Sequence, residues 1–144
     1  MPKELLKIIK ENKDICEIYW VQENTKPYKK IIPTLKRFPN DVIITIDDDI
    51  DYPLNFIEEI YREYLSYNKE CLITSGTYKW ENDIFTHYGG FSLVTSKLFG
   101  NYIFDLYDNL YLKNPDKFPF SDLLFTYASL LNGKRYKYTN NLNM

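Results

Sequence analysis

Apolar residues recur along this chain in short runs whose period changes from helical to strand-like and back. Residues 3–10 place Leu5, Leu6, Ile8 and Ile9 on one side of a helix, with Pro2 where a first-turn proline fits. Residues 15–21 are strand-like, 22–27 form a polar loop, and 28–38 predict a short helix interrupted by Pro33. Val42, Ile43, Ile44, Thr45 and Ile46 are all β-branched, so 42–47 predicts a short buried strand. From Pro53, the positions of Phe56, Ile57, Ile60, Tyr61, Tyr64 and Leu65 follow helical spacing. Glu58 and Glu59 fall in the early turns, where the helix dipole favours acids, and the pattern fades by Asn68.

Residues 71–74 predict another strand. The stretch 76–92 reads as irregular, carrying Trp80, His87, Gly89 and Gly90, and 91–94 is again strand-like. Helical patterns resume over 96–112 and break at Asn114, Pro115 and Asp116. A firm helix follows over 121–131, closed by Asn132 and Gly133 as a left-handed cap. Residues 134–139 alternate like an edge strand, and 140–144 read as a loose tail. Strands alternating with helices predict an α/β fold, a layered α/β/α arrangement on a mixed, largely parallel sheet. With 144 residues and no repeat, low-complexity tract or linker, residues 1–144 form one domain.

Composition changes this picture in a few places. Aromatic residues make up 17% of the chain, 14 of them Tyr, which suits either a cleft that stacks on flat or sugar-like ligands or a half-wet core. A net charge of -2 argues against nucleic acid as the main partner, because no basic field would collect phosphates. Cys16 and Cys71 both lie in apolar runs and read as reduced core residues without a disulfide framework. No apolar run is long enough to span a bilayer, and the start of the chain reads as a charged amphipathic helix rather than a leader. The expectation is a soluble protein of the cytoplasm, or one peripheral at the inner face of the membrane.

The strongest chemical signal is Asp47, Asp48 and Asp49, three carboxylates at the end of the apolar strand. Clustered charge there is costly unless cations or hydrogen bonds neutralise it, and ligands of open α/β sheets bind beyond the carboxyl ends of strands. Mg²⁺ and Mn²⁺ take hard oxygen donors, commonly one or two carboxylates plus substrate phosphates. Strand alternation would turn Asp47 and Asp49 the same way. The competing reading is a solvated acidic turn, and Asp51 is assigned to capping the helix that Pro53 begins. Asp47, Asp49, Asp51, Asn55 and Glu58 also match calcium-loop spacing, but Tyr52 stands where that loop needs Gly. Lys29 and Lys30 either meet a diphosphate or form a solvated basic face. His87 reads as a surface residue before a metal ligand, and Gly89 and Gly90 as either a close ligand approach or a simple turn. By residue chemistry alone, Asp122 at the start of its helix favours the dipole; in a cleft it could act as a general base.

Taken in order, several of these segments resemble one family. Tyr28, Lys29, Lys30, Ile31, Ile32, Pro33, Thr34 and Leu35, then the acidic strand 41–53 ending in Tyr52 and Pro53, are similar to bacterial GT-A-type glycosyltransferases of surface-polysaccharide assembly. Gly89 and Gly90 resemble that family's Gly-Gly element. Ser121, Asp122, Leu123 and Leu124, with Leu130, Leu131, Asn132 and Gly133 downstream, resemble its acidic helix motif. The resemblance covers about residues 15–139 and implies a partial GT-A (Rossmann-like) domain. It implies a nucleotide-diphosphate sugar as donor, held by Asp47, Asp48, Asp49, Lys30, Gly89 and Gly90. It implies Mn²⁺ or Mg²⁺ on Asp47 and Asp49, Asp122 as catalytic base, and a saccharide or lipid-linked acceptor.

Two positions depart from the family pattern: Ser121 replaces the first acid of the helix pair, and Leu124 stands at the Trp position. The family's domain also has, upstream of the region matching Ile15, a strand and loop that help hold the nucleotide base. The base pocket is then incomplete, or supplied by a partner chain or second copy, or the chain is a non-catalytic remnant or partner subunit. A third class, a phosphotransferase with Asp47 as nucleophile and Asp49 as acid, expects Thr or Val where Asp51 stands.

Overall fold

The computed structural model describes residues 2–80, 83–118 and 121–139, and every structural statement below concerns these. In chain order they form α1 (Lys3–Glu11), a 3-10 helix (Lys26–Lys30), α2 (Ile32–Arg37), β1 (Ile43–Ile46), α3 (Phe56–Ser66), β2 (Cys71–Trp80) and β3 (Asp83–Val94). There follow α4 (Ser96–Phe99), α5 (Tyr102–Leu106) running into a π-turn (Tyr107–Tyr111), α6 (Ser121–Leu131) and β4 (Arg135–Tyr138). This is an α/β fold on one four-stranded sheet of order β1-β3-β2-β4.

The sheet is mixed but not largely parallel. β3 is antiparallel to both β1 and β2, and only β2 and β4 pair in parallel. The reason lies in the connections. The crossover through α3 makes β1 and β2 run the same way, as the alternation predicts. The segment expected to be irregular, 76–92, instead forms most of a long hairpin of β2 with β3, and β3 lies between β1 and β2. Its β-branched and aromatic residues are interleaved with charges and glycines, which hid the strand period.

Phe91, Ser92, Leu93 and Val94 of β3 are all buried, which requires cover on both faces of the sheet. On one face, Phe56 of α3 meets Phe91 edge-on with ring centroids 5.2 Å apart. Half-buried Thr45 and buried Ser92 face each other across β1 and β3 and share a hydrogen bond of 2.7 Å, so the buried hydroxyl is satisfied. Elsewhere in the core, Phe125 of α6 lies 5.8 Å from Phe99 and 5.8 Å from Tyr28. Burying each such side chain contributes roughly 1.5–3 kcal/mol. Tyr28 is fully buried and packs on Tyr111 with centroids 4.1 Å apart, which pins the 3-10 helix to the core. At the end of α6, Gly133 has φ +67°, and the Gly133 and Lys134 N–H groups donate to Leu130 and Ser129, the cap expected there.

Three further expectations are overturned. Residues 15–21 join no strand: Tyr19 packs against α2 through Arg37, 3.7 Å from its ring, and Phe38, while Ile15 and Trp20 stay exposed. Strand propensity without a paired edge does not make a strand. Cys16, on this segment, is exposed, whereas Cys71 is buried. Asp51 does not cap α3, because a turn closed by the Phe56 N–H on Pro53 delays the helix and makes Asn55 its N-cap residue. α1 forms where expected but buries none of its residues. No helix among the described residues is long and apolar enough to cross a membrane.

Candidate functional site

β1 delivers Asp47 directly beyond its last paired residue, Ile46, and the ladder with β3 continues one step to Gly90. The Asp47 N–H donates to the Gly90 carbonyl at 3.0 Å and to the Tyr52 hydroxyl oxygen at 2.9 Å. The Gly90 N–H donates back to Asp47 Oδ2 at 2.7 Å, and the Tyr52 hydroxyl donates to the Gly90 carbonyl. Asp47 Oδ1 is ion-paired with Lys30, which reaches it from the 3-10 helix. The Asp47 side chain is only 25% exposed, so its charge is neutralised by a lysine and a backbone donor at the sheet edge.

The partner glycine sits at an irregularity in β3. Between the pairs Thr74↔Ser92 and Gly76↔His87, β2 advances two residues while β3 advances five, leaving three extra residues on β3. Gly89 and Gly90 fall in that excess, so β3 leaves β2 and turns its backbone toward the acidic loop. Gly90 has φ +76°, and a Cβ there would lie 3.3 Å from Ser75 Cβ and 3.4 Å from Ile50 Cδ1. Only glycine supplies this conformation and this closeness without strain. The His87 side chain lies outside the described structure.

Asp48 and Asp49 are exposed in a turn that starts as soon as β1 ends. The chain is no longer extended there, so strand alternation does not set how Asp47 and Asp49 are related. Among the described residues, no group of three or more His, Cys, Asp or Glu side chains is arranged to hold a metal ion. The donor set is nonetheless of the hard-oxygen type, and ions such as Mg²⁺ are commonly held by one or two carboxylates plus substrate phosphates.

Asp122 lies in the first turn of α6, half-buried, with the Ser121 hydroxyl 3.5 Å from its Oδ1. Its charge is felt by Tyr28, whose hydroxyl donates to the Phe118 carbonyl at 3.1 Å. Burial, then the neighbouring Tyr111, Asp122 and Tyr107, push the Tyr28 hydroxyl well above its ordinary range. Tyr28 and Lys30 are two residues apart on the same 3-10 helix; Lys30 pairs with Asp47, while Asp122 acts on Tyr28 through its charge. Lys30, Asp47 and Gly90 are thus brought together, while Asp122 lies apart from them at the start of α6. Tyr52 belongs to the same network, although the pattern of residues marked it only as part of the Tyr-Pro pair; its signal was a large polar aromatic beside the acidic loop. Comparison of the chain with protein-family models, curated proteins and solved structures found no match.

Proposed function

We propose that this protein is a metal-dependent glycosyltransferase of partial GT-A type, moving a sugar from a nucleotide-diphosphate donor to an acceptor hydroxyl in surface-polysaccharide synthesis. The observation that carries the reading is the Asp47–Gly90–Lys30 constellation: an acid at the carboxyl end of a strand, held by a left-handed glycine and neutralised by a lysine. Asp47 with Asp49 would hold Mn²⁺ or Mg²⁺, which when bound supplies positive charge against a leaving diphosphate. Lys30 then exchanges Asp47 for a phosphate oxygen, keeping a cation beside the leaving group. The Gly90 N–H holds Asp47 Oδ2, so the carboxylate keeps its orientation when Lys30 leaves. Asp122 takes the proton of the acceptor hydroxyl.

The test is a titration with Mn²⁺ and UDP- or GDP-sugars, following melting temperature, and release of the nucleoside diphosphate with a saccharide acceptor. Stabilisation that needs metal and nucleotide together, lost in Asp47→Asn, is expected. No shift at millimolar ligand would refute the reading. A second reading is a partner subunit that binds the donor without turnover, favoured by Ser121, which is buried and not ionisable where an acid was expected. Metal-dependent binding without diphosphate release would establish it.

A further inference from the structure

At the end of the sheet opposite Asp47, a cavity of about 340 Å³ opens where β1 begins and β3 ends. Buried Tyr64, Thr95 and Leu98 line it, and Lys69, Lys97 and Lys134 bring three cations against one acid, Glu70. Glu70 is ion-paired with Lys134, and neither Lys69 nor Lys97 holds an acid among the described residues. The walls are fixed from two sides. Asn132 Nδ2 donates to the Lys97 carbonyl at 2.9 Å and to the Leu98 carbonyl at 3.2 Å. At the end of α3, Asn68 and Lys69 take φ +54° and +61°, and the Lys69 N–H closes on the Tyr64 carbonyl at 3.2 Å, which turns Lys69 back to the cavity.

Thr95 carries the anomaly. It is 6% exposed and is the N-cap residue of α4, where a threonine oxygen ordinarily accepts from a helix N–H. Here it makes no such bond, and Thr95 Oγ1 is buried without a hydrogen-bond partner among the described residues. Burial raises the Tyr64 hydroxyl above its ordinary range and nearby Thr95 lowers it, yet the two do not reach hydrogen-bond geometry. A buried hydroxyl left open is costly unless a ligand or an ordered water completes it.

We propose that this cavity binds a small phosphate monoester, its phosphoryl group held by Lys69 and Lys97 with the Thr95 hydroxyl donating to one oxygen. A carboxylate would leave one of the two lysines uncompensated, whereas a monoester carries close to two negative charges at neutral pH. Leu98 and the Tyr64 ring give the organic group an apolar surface. The whole of β1 separates Val42, on the lining, from Asp47, so the site is distinct from the acidic loop and does not rest on the donor-site reading.

Calorimetry on the full chain should show saturable, metal-free binding of glycerol phosphate and of inorganic phosphate at millimolar concentration, and none of glycerol or acetate. Thr95→Val keeps the shape and removes the open hydroxyl, so it should melt no lower than the wild type while binding weakens about tenfold. Lys97→Met should also weaken binding, whereas Lys36→Met, an exposed cation outside the lining, should not. Binding lost in Lys30→Met but kept in Thr95→Val would put the anion at the donor end and overturn the proposal. So would binding of a phosphoserine peptide alone, or a soaked crystal with only water against Thr95 Oγ1. No saturable binding at millimolar glycerol phosphate would overturn it too, and would leave the donor-site reading, which needs metal and nucleotide together, untouched.

Discussion

Gly90→Ala is the perturbation that bears most directly on how the acidic loop is built. At φ +76° an alanine pays the left-handed penalty of about 1–2 kcal/mol. Its Cβ would also stand 3.3 Å from Ser75 Cβ and 3.4 Å from Ile50 Cδ1, close enough that these neighbours must give way. Together the two effects cost about 2–3 kcal/mol, and for a chain of this size that lowers the melting temperature by about 6–9 °C. Two other glycines calibrate the experiment. Gly133 has φ +67° but open space around it, so Gly133→Ala should cost the backbone penalty alone, about 3–6 °C. Gly76 has open space and no positive φ, so Gly76→Ala should be neutral or slightly stabilising. Differential scanning fluorimetry of the three variants against the wild type gives the order. Because the Gly90 N–H orients Asp47, Gly90→Ala should also weaken metal-dependent nucleotide binding in the fraction that remains folded. If Gly90→Ala melts no lower than Gly76→Ala, the left-handed glycine at the bulge does not hold the loop.

Tyr52→Phe removes a hydroxyl that joins Asp47 to Gly90 but leaves the Asp47 N–H bonded to the Gly90 carbonyl, so it should cost about 0.5–1.5 kcal/mol in urea unfolding. Lys30→Met breaks an ion pair that is half exposed on the lysine side; stability should change by less than about 1 kcal/mol while nucleotide affinity falls, a split that separates binding from folding. Phe125→Ala opens the core between Tyr28 and Phe99 and should destabilise by about 3–5 kcal/mol. Thiol labelling at pH 8 should modify Cys16 at once and Cys71 only in denaturant, since burial raises the Cys71 thiol to about 11. Between about pH 9 and 11 the unfolded thiol ionises while the folded one stays protonated, so stability should fall as pH rises through that window; a flat profile would refute the assignment.

The parts of the fold legible in the sequence were those with one dominant period. α3 and α6 carry long apolar stripes, and β1 is a block of β-branched residues, so each appears within a few residues of its predicted bounds. The hairpin of β2 with β3 was not legible beyond its outer ends, 71–74 and 91–94, because Lys79, Asp83, Gly89 and Gly90 interrupt the alternation that would have marked a strand. Reading residues 15–21 as a strand failed for the opposite reason: the local preference is there, but no sheet edge meets it, and Tyr19 finds Arg37 and Phe38 instead. Propensity proposes an element; pairing decides it.

The candidate site divides along the same line. Position in the chain was enough to mark Asp47, because a buried strand ending in acids is anomalous wherever it lies. Lys30 and Gly90 were marked only as options, since nothing local says that a lysine 17 residues upstream and a glycine 43 residues downstream meet the same carboxylate. Their meeting depends on two long-range facts: Tyr28 must be buried against Tyr111 for the 3-10 helix to present Lys30, and β3 must gain three residues on β2 for Gly90 to reach Asp47. The Lys26–Lys30 helix therefore positions the Lys30 end of the proposed site. A core substitution that loosens Tyr28, such as Phe125→Ala, should disturb the Lys30–Asp47 pair, while Gly90→Ala should disturb the Gly90 N–H bond to the same carboxylate.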